Sequence, residues 1–210
     1  MEDGQYLTIA SPVDFEMTVK RSRFIASLRA AEDRAAFDSE MKNIAVLYPK
    51  ATHHCWAYRF TGSPPTEHCS DAGEPSGSAG RPILGALKKH GLLNITAIVT
   101  RYYGGVKLGV HGLIEAYGGC ALEAVKTAGI IIREKTFRVS FSCSYGLYNI
   151  LLAALEKHGI PSSDTEASFT DAINGYFTAP QSILPALLPA LEAISPGKDS
   201  FSFYCEEPKG

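Results

Sequence analysis

The chain has 210 residues, 45% of them apolar, and a formal net charge of −2, which is enough apolar material for one large or two small cored domains and argues against disorder. Charge is uneven: residues 1–134 carry 15 Lys and Arg against 14 Asp and Glu, and residues 135–210 carry 5 against 8, so only a local patch could hold a polyanion. No apolar run reaches the ~18 residues of a membrane span; the opening MEDGQYLTIA lacks a secretion signal, and five scattered cysteines without a CxxC pair suit reduced thiols, so the expected location is cytoplasmic.

In chain order, Tyr6 to Ile9 and Arg23 to Leu28 read as strands, the second entered through the basic run Lys20 to Arg23. Phe37, Met41, Ile44 and Leu47 recur at helical spacing, which predicts an amphipathic helix from Ala35 to Tyr48 ended by Pro49. Thr52 to Phe60, rich in aromatic and β-favouring residues, reads as a strand. Pro82 suits the first turn of a helix that Gly91 closes. Asn94 to Tyr103 reads as a strand buried on both faces. A further helix is expected from Leu113 to a stop at Gly129.

Beyond a boundary placed in the linker Ile132 to Thr136, the pattern changes. A strand at Phe137 to Cys143, a helix at Leu147 to Lys157, strands near Ser163 to Thr170 and Asn174 to Thr178, a helix at Ser182 to Ala193 and a strand at Ser200 to Glu206 give βαββαβ, the split ferredoxin-like arrangement. The expected domains are therefore 1–134 and 135–210.

Two glycine-rich stretches stand out: SDAGEPSGSAGRP from Ser70 to Pro82 and RYYGGVKLGVHG from Arg101 to Gly112. Each leads into a helix, where glycine permits close backbone approach and the helix start offers orphan amides and a positive dipole end, a setting suited to phosphate. Ser76, Gly77, Ser78, Ala79 and Gly80 present small side chains and amides, Arg81, Arg101 and Lys107 add charge, and Tyr102 or Tyr103 could stack on a base. Asp71 and Glu74 could either cap local amides or chelate a cation. The absence of GxxxxGK[ST] excludes a P-loop, and that of GxSxG excludes a nucleophile elbow. His53, Cys55 and His68 suggest a metal site only faintly, because structural zinc shows cleaner paired spacing. No cofactor and no metal are implied.

The segments KRSRFIA (Lys20 to Ala26), YPKATHHCWAY (Tyr48 to Tyr58), SDAGEPSGSAGRPIL (Ser70 to Leu84) and RYYGGVKLGVHGLIEAY (Arg101 to Tyr117) together resemble the YigZ/IMPACT family. The resemblance implies an α+β protein whose first domain is like the second domain of a small-subunit ribosomal protein and domain IV of elongation factor G, followed by a ferredoxin-like βαββαβ domain. Eukaryotic relatives regulate translation, so it also implies RNA, the ribosome or a translation-associated protein as partner; that no membrane is involved is expected from the lack of a long apolar run.

The binding positions it implies are Arg21, Arg23, His54, Asp71, Glu74, Ser76, Gly77, Gly80, Arg81, Arg101, Tyr102, Gly104, Gly105, Lys107 and Gly109; Ser78 joins them from the loop chemistry. No catalytic residue is implied. Three residues depart from the family pattern: Ala72 where an acid is usual, His111 where glycine is usual, and Glu115 where a base is common. An enzyme acting on a phosphorylated metabolite or nucleotide in the same groove, with Asp71, Glu74 or His54 as acid, base or ligand, is the alternative. An adaptor docking proteins on the acidic second domain is another.

Overall fold

The computed structural model describes residues 4–194 and 201–206. The chain divides into two units, one from Tyr6 to Arg133 and the other from Glu134 onward together with the residues before Tyr6. In the first unit, strands β1 (Gln5–Ile9), β2 (Val13–Val19) and β3 (Ser22–Ala30) precede helix α1 (Arg34–Leu47). They are followed by β4 (His53–Phe60), β5 (Thr66–Ser70), α2 (Gly80–Lys89), β6 (Ile95–Tyr102), α3 (Gly109–Ala128) and β7 (Ile130–Glu134).

Five strands form one sheet in the order β2-β3-β6-β4-β5, and β1 pairs with β7. Every neighbour in the five-stranded sheet is antiparallel, with Phe24 opposite Arg101 and His53 also opposite Arg101. Side chains alternate along each strand, so this register sorts the sheet into two faces. One face carries Phe24, Ala26, Leu28, Cys55, Ala57, Ala97 and Val99, packed under α2 and α3 through Ile83, Leu87, Leu113, Tyr117, Cys120 and Ala124. The other carries Trp56, Tyr58 and Phe60 against Phe37 of α1. Being central and covered on both sides, β6 buries every residue from Ile95 to Arg101.

Several boundaries differ from the sequence reading. β2 was not expected, although VDFEMTV alternates strictly; a tight turn at Lys20 and Arg21 makes it a hairpin with β3, and both turn residues have positive φ (43° and 70°). The polar strand β5 and the short strand β7 were likewise not expected. α3 begins at Gly109 rather than Leu113, which places Gly109 and Gly112 inside its first turn and shortens the second glycine-rich loop to residues 103–108. α1 starts on the cap of Asp33, whose carboxylate accepts from the Ala36 amide at 2.8 Å.

In the second unit, β8 (Thr136–Cys143), α4 (Tyr145–Lys157), β9 (Glu166–Phe169), β10 (Ile173–Pro180), α5 (Leu184–Glu192) and β11 (Phe201–Glu206) run βαββαβ. Its antiparallel sheet has the order β11-β8-β10-β9. The core is Val139, Phe141, Leu151, Leu155, Phe177, Leu187 and Leu191. Of the expected last strand, Ser200 lies outside the described residues. Among the described residues, no helix is long and apolar enough to cross a membrane.

Candidate functional site

The first glycine-rich loop is built around Asp71. One carboxylate oxygen accepts from the amides of Ala79 (2.9 Å) and Gly80 (2.8 Å), and the other from Gly77 (2.8 Å). Burial by itself would raise this carboxyl; the three amides and nearby Arg81 outweigh it and hold the group below its ordinary value. Asp71 thus caps the start of α2, in place of a side chain at the N-cap Ala79.

This corrects the expectation that these amides meet an external anion: Gly77, Ala79 and Gly80 donate to the protein's own carboxylate. The Ser78 amide and hydroxyl both donate to the Pro75 carbonyl, at 3.0 and 2.6 Å. Ser78 is buried, while Ser76 and Arg81 are exposed. Gly80 is required because a Cβ there would lie 2.7 Å from the Ser70 backbone.

The second centre is a buried ion pair. Arg101, only 5% exposed, donates through Nη1 to Glu74 Oε1 at 2.5 Å and through Nη2 to Ser22 Oγ at 3.3 Å. Glu74 also accepts from the Tyr117 hydroxyl at 2.8 Å. Burial, followed by neighbouring Cys55 and Glu74, pushes the Tyr117 phenol well above its ordinary range, so it stays a donor. The guanidinium carbon lies 5.5 Å from the Phe24 ring centroid and 5.3 Å from that of Tyr103. Among the described residues its buried Nε–H has no acceptor, and an unmet polar group of that kind costs about 1–3 kcal/mol.

This pair ties the two glycine-rich loops together. Between them opens a cleft of about 270 Å³ lined by Glu74 and Pro75 of the first loop, Arg101 and Tyr103 at the end of β6, Lys107 and Leu108 of the second, and the start of α3. A second cavity of about 290 Å³, lined by Val19, Lys20, Leu108 and Glu115 among others, flanks Leu108. The turn at Lys20 and Arg21 abuts the second loop so closely that a Cβ on Gly104 would lie 2.0 Å from the Arg21 carbonyl oxygen. The Gly104 amide also donates to Ser22 Oγ at 3.2 Å. Lys20, Arg21 and Lys107 are exposed, and no ion pair engages them among the described residues.

Strand alternation separates the remaining expected residues from this cleft. Arg23, His54 and Tyr102 project from the α1 face of the sheet, whereas Arg101 projects from the α2/α3 face. Arg23 pairs with exposed Glu16 at 3.1 Å and stands 5.1 Å over the Tyr102 ring. His54 Nδ1 lies 3.0 Å from Thr100 Oγ1, and burial, then neighbouring His53, lowers its pKa.

The aromatic residue at the cleft is therefore Tyr103, 45% exposed, and not Tyr102. The histidine beside the Asp71 loop is His53, which donates to the Ala72 carbonyl at 2.8 Å, and not His54. Parity along the strand could have assigned both. His68 stands opposite Tyr58, on the other face from His53 and Cys55, which separates the faint metal grouping. Among the described residues no three His, Cys, Asp or Glu side chains come together to hold an ion. Burial pushes the Cys55 thiol up to about 12, so it stays protonated.

Residues 20–125, half of the chain, match the Impact N-terminal domain. An IMPACT family member of Haemophilus influenzae is 38% identical over 164 residues, covering 75% of this chain and 77% of its own. YigZ of Escherichia coli is 36% identical over 143 residues, covering 67% of this chain and 70% of its own. A crystal structure of a protein described only as hypothetical superposes over 98% of this chain and 99% of its own, with a TM-score of 0.70 and 27% identity. The structure of the translational regulator Yih1 reaches a TM-score of only 0.36 at 21% identity, over 61% of this chain and 48% of its own, which is too slight to argue from. The fold and the loop pair define a two-unit α+β protein with a glycine-rich cleft. The chain belongs to the IMPACT family.

Proposed function

We propose that this protein is a translation-associated regulatory protein that binds RNA, free or within the ribosome, through the surface where the Lys20–Arg21 turn, the loop 103–108 and the start of α3 meet. The observation that carries this reading is the group of exposed cations Lys20, Arg21 and Lys107, without an ion pair among the described residues, on the turn and loop beside a cleft lined by Lys107 and the Tyr103 ring. Cations to meet phosphates and an aromatic face to stack on a base are what single-strand binding requires. Likeness of the first unit to domain IV of elongation factor G, and of the second to a ferredoxin-like domain, belongs to the same reading, as does a cytoplasmic location.

Relative to the sequence-level picture, Arg101 changes role. It organises the two loops from beneath, and the exposed cations make the backbone contacts. An enzymatic role for Asp71 has less support, since both its oxygens are engaged by loop amides. A protein partner is the second reading, favoured by the exposed Val106, Val110 and Ile114, which follow one another at helical spacing along the loop and α3.

The test is the salt dependence of binding to a single-stranded RNA. Affinity should fall linearly on a log–log scale, with a slope of about −0.7 per phosphate contacted. Lys107→Ala should flatten that slope by about one contact. Salt-independent association, or a slope unaltered in Lys20→Ala, Arg21→Ala and Lys107→Ala alike, would refute RNA binding at this surface.

A further inference from the structure

An RNA strand would use the exposed cations and the Tyr103 ring and leave the hollows beside them without a role. Glu74 and Arg101, although they line the first cleft, have buried side chains that are spent on one another. What remains for a ligand to touch is almost wholly carbon, chiefly Pro75, Tyr103, Leu108, Val110 and Leu113. A phosphate seated against such a wall gives up hydration that carbon cannot replace. The neighbouring cavity shares Leu108 with the first and adds Met17, Val19 and Ala116 to its wall.

The helix that borders both hollows is apolar on its outer side as well. Leu113, Ala116 and Tyr117 of α3 pack into the core, and a surface helix ordinarily turns polar residues the other way. Here Val110 is 54% and Ile114 39% exposed, and Val106 of the preceding loop is exposed with them. Apolar surface gathered in one place and rimmed by charge marks an interaction site. The rim is cationic: Lys107 lines the first cavity, Lys20 the second, and Arg21 stands next to Lys20 in the turn that abuts Gly104. All three are exposed and, among the described residues, without an ion pair. Glu115, the exposed acid in these walls, has the His111 imidazole 3.2 Å away.

We infer that the two hollows dock a short acidic segment of a partner protein, which seats one large apolar side chain in each cavity and sets its carboxylates against Lys20, Arg21 and Lys107. At about 270 and 290 Å³, each cavity has room for one such side chain, and the shared Leu108 wall keeps the two anchors close together in the partner's sequence. Apolar anchors held in pockets supply most of the energy of an interface. Opposite charges around them speed encounter and select the partner, which is why the cationic rim specifies an acidic segment. The inference deepens the protein-partner reading and rests on it. An RNA strand carries the negative charge but no aliphatic anchor, so it satisfies the rim alone.

The test is selection of a random peptide library, displayed on phage, against the full chain. Enriched sequences should combine two large apolar residues with Asp or Glu. A selected peptide, made synthetically, should shift the backbone amide signals of residues 106–115 in the isotope-labelled full chain. Its affinity should fall about tenfold in Val110→Glu, the scale of losing one interface anchor. Lys20→Glu and Lys107→Glu should slow its association and reduce the salt dependence of binding. These three side chains are exposed, so the variants should keep the native amide spectrum away from the substitution.

Enriched peptides that lack acidic residues, yet bind here and are lost in Val110→Glu, would overturn the acidic segment and keep the protein-partner reading. Peptides that bind the native chain and all three variants equally well would remove both from this surface. Selection that enriches nothing also removes both, and a single-stranded RNA that then shifts the signals of residues 106–115 assigns the surface to RNA alone.

Discussion

Asp71 shows how one residue can decide what a loop does. Its carboxylate gathers three amides that would otherwise be orphaned at the start of α2. Replacing it by alanine should cost about 1–3 kcal/mol in urea unfolding, the range for charge-assisted hydrogen bonds to partners left unmet. The pH dependence follows from the direction of its shift. A carboxyl held below its ordinary value binds fewer protons folded than unfolded, so its contribution is complete above the ordinary carboxylate range and fades as pH falls through the folded value. The stability gap between the native chain and Asp71→Asn should therefore narrow in acid. A gap that is constant between neutrality and strong acid would contradict the assignment.

The Arg101–Glu74 pair is the other residue-scale determinant. Both side chains are about 95% buried, so Glu74→Gln or Arg101→Met strands a charge and should cost about 3–5 kcal/mol. The double variant should lose clearly less than the two single losses added. Additive losses in a thermal or denaturant double-mutant cycle would show that the two groups do not act as a pair. His111 and Glu115, both exposed, lie 3.2 Å apart as an i,i+4 pair on α3.

The β2–β3 hairpin is strained where it carries charge. A two-residue connection with positive φ at both positions favours Asn-Gly, yet this chain has Lys20 and Arg21 there, at 43° and 70°. Left-handed backbone costs an ordinary residue roughly 1–2 kcal/mol. Lys20→Asn with Arg21→Gly should raise the melting temperature while weakening RNA binding, a trade-off that locates function in the turn. Unchanged RNA affinity in the stabilised variant would separate the turn from the binding surface. Gly104 belongs to this element as well, because only a residue without Cβ lets the Arg21 carbonyl approach.

Across the whole molecule, much of the architecture was legible because it follows periodicity. The helix expected from Ala35 to Tyr48, the doubly buried strand expected from Asn94 to Tyr103 and the βαββαβ order after residue 134 all come from short-range patterns of apolar side chains. β5 was hidden by its polar sequence TEHCS, since a short strand at a sheet edge needs little apolar content. β2 was hidden by a turn that lacks the usual glycine. The composition of the cleft was half legible: glycine and charge marked both loops, but the division of Arg101 from Arg23, His54 and Tyr102 depends on strand parity across three partners.

The sequence by itself determined the family, the two-part organisation of its periodic elements and the two glycine-rich segments, because each is written in residues close together along the chain. Only the tertiary structure decided that the segments meet, that Asp71 occupies the amides of the first, and that Arg101 is buried beneath them. Those outcomes depend on which hydrogen-bond acceptor lies within about 3 Å of which donor, a relation among residues distant in sequence that their order does not encode locally.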